Sequence, residues 1–339
     1  MRDTPARPST AASQSLCGLS RRSLMTGSAA AALALPAGLV VPSLGHAAAG
    51  AKAQAAGYYR LPLGEFSVTI VSDGAYELPV GMFATNAKPE DVQAFLAANM
   101  QPTTTRTAHV NLPVIDTGKD RVLIDVGGGP NWMPTAGRLA DNLTAAGIEA
   151  ASITKVVITH GHPDHIWGLI DEFEDAPRFP NAEHIIAARE WDFWTTDEAA
   201  GKLPAAFQGF ALGAKTHLPP LAEKIRRIKP GDEIVPGIVS IDTPGHTPGH
   251  LAVAVTSGSQ TLIVAADTLT HAYISFANPG WWAGVDTDPA QAEASRRKIL
   301  DMLATDKAMM LGYHLSFPGL GYTVRDGAAY RFVPATWQW

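Results

Sequence analysis

The chain has a single cysteine in 339 residues, Cys17, and it lies among the first fifty. The rest of the sequence can form neither an internal disulfide nor a thiolate metal site, so any metal it binds must use imidazole and carboxylate. Basic residues are scarce as well: 26 Lys and Arg stand against 32 Asp and Glu, a net charge of -6. Arg2, Arg7, Arg21 and Arg22 precede residue 51 with one acid, Asp3, which leaves 22 bases and 31 acids for the remainder. A surface of that sign does not neutralise a phosphate backbone, which argues against a nucleic-acid partner. Long apolar runs are absent beyond residue 50, so no membrane span is expected there. What is present is a globular composition, 46% hydrophobic and 17% charged. That mixture excludes a disordered or collagen-like chain.

The first fifty residues read as an address. Ser20-Arg21-Arg22-Ser23-Leu24-Met25 precedes an uncharged stretch from Thr26 to Leu44 and the small-residue region His46-Ala47-Ala48-Ala49. This resembles a twin-arginine export signal. Its apolar core is interrupted by Pro36, Gly38 and Pro42, and falls short of the roughly 20 apolar residues that a membrane anchor needs. Residues 1–50 are therefore expected to be an export signal, and the mature chain to be periplasmic or secreted.

Beyond it there is no repeat and no low-complexity linker, and residues 57–339 read as one domain. Phe66 to Val71 predicts a strand ended by Ser72-Asp73-Gly74, followed by strands at Val110 to Ile115 and Arg121 to Ile124. Thr135 to Ala146 predicts a helix stopped by Gly147, and Ile153 to Thr159 a buried strand running directly into His160. A second batch of strands follows at Ile185 to Ala188, Ile238 to Ile241, Leu251 to Val255 and Thr261 to Ala266, with helices at Asp192 to Ala200 and Ala290 to Ala304. Two batches of strands with intervening helices predict two packed sheets covered outside by helices, an αββα sandwich of the α/β class.

The informative stretch is Thr159-His160-Gly161-His162-Pro163-Asp164-His165. Three imidazoles and a carboxylate sit on a loop that Gly161 and Pro163 bend, at the end of an apolar strand, and that is metal-ligand spacing. Thr243-Pro244-Gly245-His246-Thr247-Pro248-Gly249-His250 offers two further histidines. Spacing alone does not choose between them.

His-x-His-x-Asp-His resembles the signature of the metallo-β-lactamase superfamily. Leu123-Ile124-Asp125-Val126-Gly127-Gly128 is similar to its first motif, Thr243 to His246 to its third, Ala266-Asp267-Thr268 to its fourth and Gly312-Tyr313-His314 to its fifth. The resemblance implies that His160, His162 and His246 bind one metal, that Asp164, His165 and His314 bind a second, and that Asp267 bridges them. Asp125 would orient the metal loop, and His250 would pack behind it rather than ligate. Two divalent ions are implied, with zinc the best match to mixed imidazole and carboxylate donors. Asp164, Asp267 and Asp125 are then the carboxylates closest to the chemistry.

The same comparison narrows the relatives. No cysteine is available for the second site of class B1 or B2 β-lactamases, and Asp267 is missing from class B3 enzymes, so antibiotic hydrolysis is disfavoured. The basic extension of the nuclease branches and the helical carboxy-terminal segment of glyoxalase II are both absent. Gly57-Tyr58-Tyr59-Arg60, Ser72-Asp73-Gly74, Phe179-Pro180-Asn181-Ala182, Asp192-Phe193-Trp194, His314 to Gly319 and Tyr330 to Pro334 resemble the methyl parathion hydrolase and lactonase branch. This implies an exported hydrolase, a homodimer, acting on a small lactone or ester, and on organophosphate triesters, through a hydroxide shared between the metals. Trp132, Trp194 and Phe207 fall where that branch places its leaving-group aromatics, and His271, four residues after Asp267, is a candidate polar contact to substrate. Three other readings stay open: a phosphotriesterase as the main activity, a mononuclear iron oxidoreductase of the persulfide dioxygenase kind, and a non-catalytic periplasmic metal-binding protein.

Overall fold

A computed structural model of the chain describes residues 57–171 and 174–337. The expected export signal lies outside these residues. Strand β1 (Tyr58–Leu63) turns at Gly64 into β2 (Phe66–Pro79), and helix α1 (Pro89–Ala98) leads to β3 (Thr105–Asp116). The expected stop at Ser72-Asp73-Gly74 is instead a bulge. The β2–β3 register shifts between Ser72 and Gly74, Gly74 takes φ 115°, and the strand continues to Pro79. Glycine supplies the backbone freedom that such a bulge needs.

Next come β4 (Arg121–Ile124), α2 (Leu139–Ala145), β5 (Lys155–Ile158) and α3 (Pro163–Ile166). A two-residue ladder, β6 (Ile170–Asp171) with β7 (Ala176–Pro177), precedes β8 (Glu183–Ala187), α4 (Ala188–Thr195), α5 (Glu198–Lys202), α6 (Gln208–His217) and β9 (Ile225–Ile228). Helix α2 starts four residues later than the sequence predicts, because Gly137 holds φ 77° and the Asp73 carboxylate binds the Leu139 N–H. The helix expected over Asp192 to Ala200 is split into α4 and α5 by an extended Thr196.

The last part of the chain builds β10 (Glu233–Val235), β11 (Ile238–Asp242), β12 (Leu251–Ser257), β13 (Gln260–Val264), α7 (Ile274–Ala277), α8 (Pro289–Asp306), β14 (Met309–Leu311), β15 (Leu320–Asp326) and β16 (Ala329–Pro334). Pro289 at the first position of α8 and the Asp288 side chain accepting from the Gln291 N–H fix where that helix begins.

The strands form two seven-stranded mixed sheets, ordered β1-β2-β3-β4-β5-β8-β9 and β10 through β16 in sequence. Alternation along each strand divides its side chains between two cores. Val68 and Ile70 of β2 and Val157 of β5 meet Val253, Val255 and Val264 between the sheets. Val71, Val156 and Ile158 face Leu139, Trp191, Trp194 and Ala214 of the helices on the other side. Ile299, Leu300 and Leu303 of α8 cover the second sheet. Each such aliphatic side chain, fully buried, contributes roughly 1.5–3 kcal/mol. This is the αββα sandwich that the sequence predicts.

Candidate metal centre

The strands stop where the chemistry starts. Asp125 follows β4, His160 and His162 follow β5, Asp164 and His165 lie in α3, His246 sits between β11 and β12, Asp267 lies just after β13, and His314 follows β14. All of them are buried. His160, His162, His246 and Asp267 form one group, and Asp164, His165 and His314 another, each with a donor atom per residue within 4.8 Å of the others. Asp267 faces both groups: its Oδ2 is 3.3 Å from Nε2 of His246 and 3.3 Å from Nε2 of His314, and its Oδ1 is 3.3 Å from Nε2 of His165. All seven ligand candidates named from the sequence are thus brought together.

Four of the imidazoles are anchored from behind. Nδ1 of His165 bonds the Asp125 carboxylate at 2.8 Å, Nδ1 of His246 bonds Asp286 at 2.8 Å, Nδ1 of His314 bonds the His109 carbonyl at 2.8 Å, and Nδ1 of His160 lies 3.1 Å from the Thr159 hydroxyl. Asp125 also accepts from the Thr159 N–H and hydroxyl, so it ties the start of the histidine loop to β4. Meanwhile Nε2 of His160, His162 and His165, and Oδ1 of Asp267, are buried without a hydrogen-bond partner. Buried polar atoms left unpaired are costly, and an imidazole fixed at one nitrogen with the other free and pointing inward suits metal ligation. The donor set therefore fits divalent ions.

Electrostatics divide the imidazoles of the cluster into two kinds. Burial, reinforced by neighbouring imidazoles, pushes His160 and His162 well below the ordinary histidine range. They are neutral, as ligands must be. Burial also pulls His246 down, but hydrogen bonds to Asp267 and Asp286 outweigh it and lift the group to about 9. Burial opposes ionisation of Asp267, yet the adjoining His314 and His165 hold its carboxyl well below the usual range.

His250 takes the supporting role expected of it. Its Nε2 accepts from the Asp267 N–H at 3.1 Å, while Nδ1 bonds Thr243.

A cavity of about 250 Å³ opens above the cluster. His162, Asp164, Asp267 and His314 form its floor, and Met82, Phe83, Trp132, Met133, Phe207 and Phe210 much of its wall. Trp132 and Phe207 line it as expected. Trp194 does not: it is fully buried behind His162, with ring centroids 5.6 Å apart, and its indole N–H is spent on Glu190. His271 does not line it either, because Nδ1 turns back to accept from the N–H groups of Tyr273 and Ile274, and the ring packs against Phe83.

Several functional side chains escaped the sequence reading. The Tyr76 hydroxyl donates to Oδ2 of Asp164 at 2.7 Å and lines the cavity. Arg106 is buried, binds the carbonyls of Thr270 and His314, and packs 4.8 Å from the Phe83 ring. Asp286 and Glu190 brace ligand loops from distant parts of the chain. Only Phe210, three residues after Phe207 and on the same helical face, had a signal that periodicity would have found.

A two-sheet sandwich whose strand ends gather buried imidazoles and carboxylates beneath a cavity defines a class of metalloprotein. The profile of the metallo-beta-lactamase superfamily matches residues 108–314. The chain belongs to that superfamily. A probable metallo-hydrolase of Mycobacterium tuberculosis is 32% identical over 151 residues, covering 40% of this chain and 43% of that one. The chain thus spans less than half the length of that relative. Among solved structures, AidC, a dizinc quorum-quenching lactonase in complex with a product, superposes with a TM-score of 0.78 at 28% identity, over 83% of this chain and 98% of that one. AbOPH, a hydrolase of the same superfamily, gives a TM-score of 0.78 at 27% identity, over 84% and 100%.

Proposed function

We propose that the chain is a binuclear metal-dependent hydrolase that opens lactones or cleaves small uncharged esters. The observation that carries this reading is the position of Asp267, 3.3 Å from imidazoles of both donor groups, on the floor of an apolar cavity. The likeness to a dizinc lactonase supports it. His160, His162 and His246 would hold one ion, Asp164, His165 and His314 the other, with Asp267 shared. Zinc suits this cysteine-free donor set. Divalent ions held there would supply Lewis acidity at the attacked carbonyl or phosphoryl oxygen and would lower the pKa of bound water.

The chain's own groups do the rest. Asp125, Asp286 and the His109 carbonyl keep three imidazoles in one orientation, so little reorganisation accompanies the reaction. Tyr76 keeps its proton at neutral pH, because burial and the adjacent Asp164 raise it well above the ordinary phenol. It is a neutral donor at the cavity floor. Met82, Phe83, Trp132, Met133, Phe207 and Phe210 exclude bulk water and give an acyl chain or an aryl group a surface to bury. Among the described residues no lysine or arginine lines the cavity, and Arg106 is already bound to two carbonyls. A carboxylate on the substrate therefore meets no cationic side chain, which favours neutral substrates.

The aromatic wall also suits an aryl leaving group, and phosphotriester cleavage is the second reading. Initial rates of the zinc-loaded chain on an acyl-homoserine lactone and on methyl parathion, with chelated protein as the blank, separate them. A higher rate on the lactone supports the first reading and a higher rate on the triester the second; no chelator-sensitive rate on either contradicts both. Export is part of the proposal and rests on Arg21-Arg22 and the uncharged stretch behind them. It is tested by sequencing the amino terminus of the protein recovered outside the cytoplasm.

A further inference from the structure

Glu190, in the first turn of α4, is fully buried. Its Oε1 accepts from the Gly161 N–H at 2.9 Å and from the Trp194 indole N–H. Its Oε2 accepts from the Thr247 hydroxyl and the Gly249 N–H, each at 2.8 Å. Four donors use the four acceptor positions of one carboxylate. Gly161 stands between His160 and His162, and Thr247 follows His246 directly. The two loops grow from the ends of different strands, and Glu190 joins them.

The glycines show how closely the helix is docked. A Cβ on Gly249 would lie 2.4 Å from the Glu190 backbone nitrogen, and one on Gly161 would lie 2.4 Å from the Trp194 ring. Both loops are cut to let α4 reach them. His160, His162 and His246 converge from the two loops, with Nδ1 of His162 3.0 Å from Nε2 of His246. Their ring centroids are 4.6–4.8 Å apart, and their mutual contact buries polar atoms that lack partners.

We propose that Glu190 is a positioning residue that clamps the two loops presenting His160, His162 and His246, so that the three imidazoles converge before a metal ion arrives. This rests on the binuclear reading above.

The test uses metal-free full-length protein titrated with zinc against a competing chelator, and with cobalt(II) followed by its ligand-field absorption. Glu190→Gln keeps the shape but turns an amide N–H₂ towards two donors. It should weaken the site of His160, His162 and His246 about 10–100-fold, as loss of a carboxylate behind metal ligands does, and should shift the cobalt band. Thr247→Val removes one bond of four and should give a smaller loss with the same spectral direction. Leu300→Ala, in the core on the far side of the second sheet, should lower Tm and leave both readouts unchanged. Wild-type affinity and spectrum in Glu190→Gln would overturn the proposal, as would an equal loss in Leu300→Ala. If Glu190→Gln does not fold, Thr247→Val with unchanged affinity and spectrum overturns it. A parent chain that binds no ion overturns the binuclear reading itself, whereas a parent that binds two beside an unaffected Glu190→Gln overturns only the clamp.

Discussion

The floor of the cavity and its wall hold their side chains by different means. On the floor and directly beneath it, His165, His246 and His314 each carry a 2.8 Å hydrogen bond from behind, and Asp164 takes one from Tyr76 at 2.7 Å. On the wall, Trp132 meets Trp167 and Phe210 by ring edges, with centroids 5.3 and 5.7 Å apart. Directional bonds in a buried site fix an atom within a narrow range, whereas aromatic packing tolerates other shapes of similar volume. On the proposed function, the floor sets what reaction is possible and the wall which substrate is accepted. Substitutions should separate along that line.

The largest effect is expected on the floor. Asp267→Ala should lower kcat by about 10³-fold or more, since metal ions supply several kcal/mol of transition-state stabilisation. Near-ultraviolet circular dichroism should show the fold retained; retention of full activity with bound metal breaks the distinction at once. Asp286→Ala removes the carboxylate behind His246 without touching the cavity and should cost about 10–100-fold in metal affinity, read by chelator competition. Unchanged affinity would mean that His246 is held by something else.

On the wall, Trp132→Ala should change kcat/KM for an acyl-homoserine lactone relative to methyl parathion by about 10-fold, the scale of one apolar pocket contact. Metal content should stay the same, and a loss of metal would show that floor and wall are not separable.

The smallest effect concerns Asp73, which accepts from the N–H groups of Gly128, Gly137 and Leu139 and so frames the loop carrying Trp132 and Met133. Asp73→Asn should cost about 1–3 kcal/mol of stability, seen as a lower Tm of metal-free protein. Burial outweighs the three amide bonds and lifts this carboxyl from 3.8 to about 6. Its protonated form then stabilises the fold fully below 3.8, and the contribution fades as pH rises through about 6. The gap between parent and Asp73→Asn should be widest in acid and narrow towards neutrality. A gap independent of pH would contradict the assignment.

The floor was legible because metal chemistry demands particular residue types at particular spacings. Three histidines and an aspartate after an apolar strand leave few alternatives, and the remaining ligand candidates followed once the family resemblance gave their order. The braces were not legible. Asp286 lies 40 residues from His246 and Glu190 lies 57 from Thr247, and no local rule links carboxylates to loops at such distances. The wall was half legible. Trp132 and Phe207 were found, but Trp194 belongs to the core, because an aromatic residue beside a ligand loop reads alike whether it faces substrate or supports the loop from behind. Strand β2 shows the same ambiguity at the level of fold: Ser-Asp-Gly signals a stop, and only pairing with β3 makes it a bulge.

The most direct test of the shared centre is the chelator-sensitive rate on an acyl-homoserine lactone as zinc is returned to metal-free protein, one equivalent at a time. The account predicts that the rate climbs through the second equivalent and then levels. A full rate at one equivalent, or no rate at any, would contradict it.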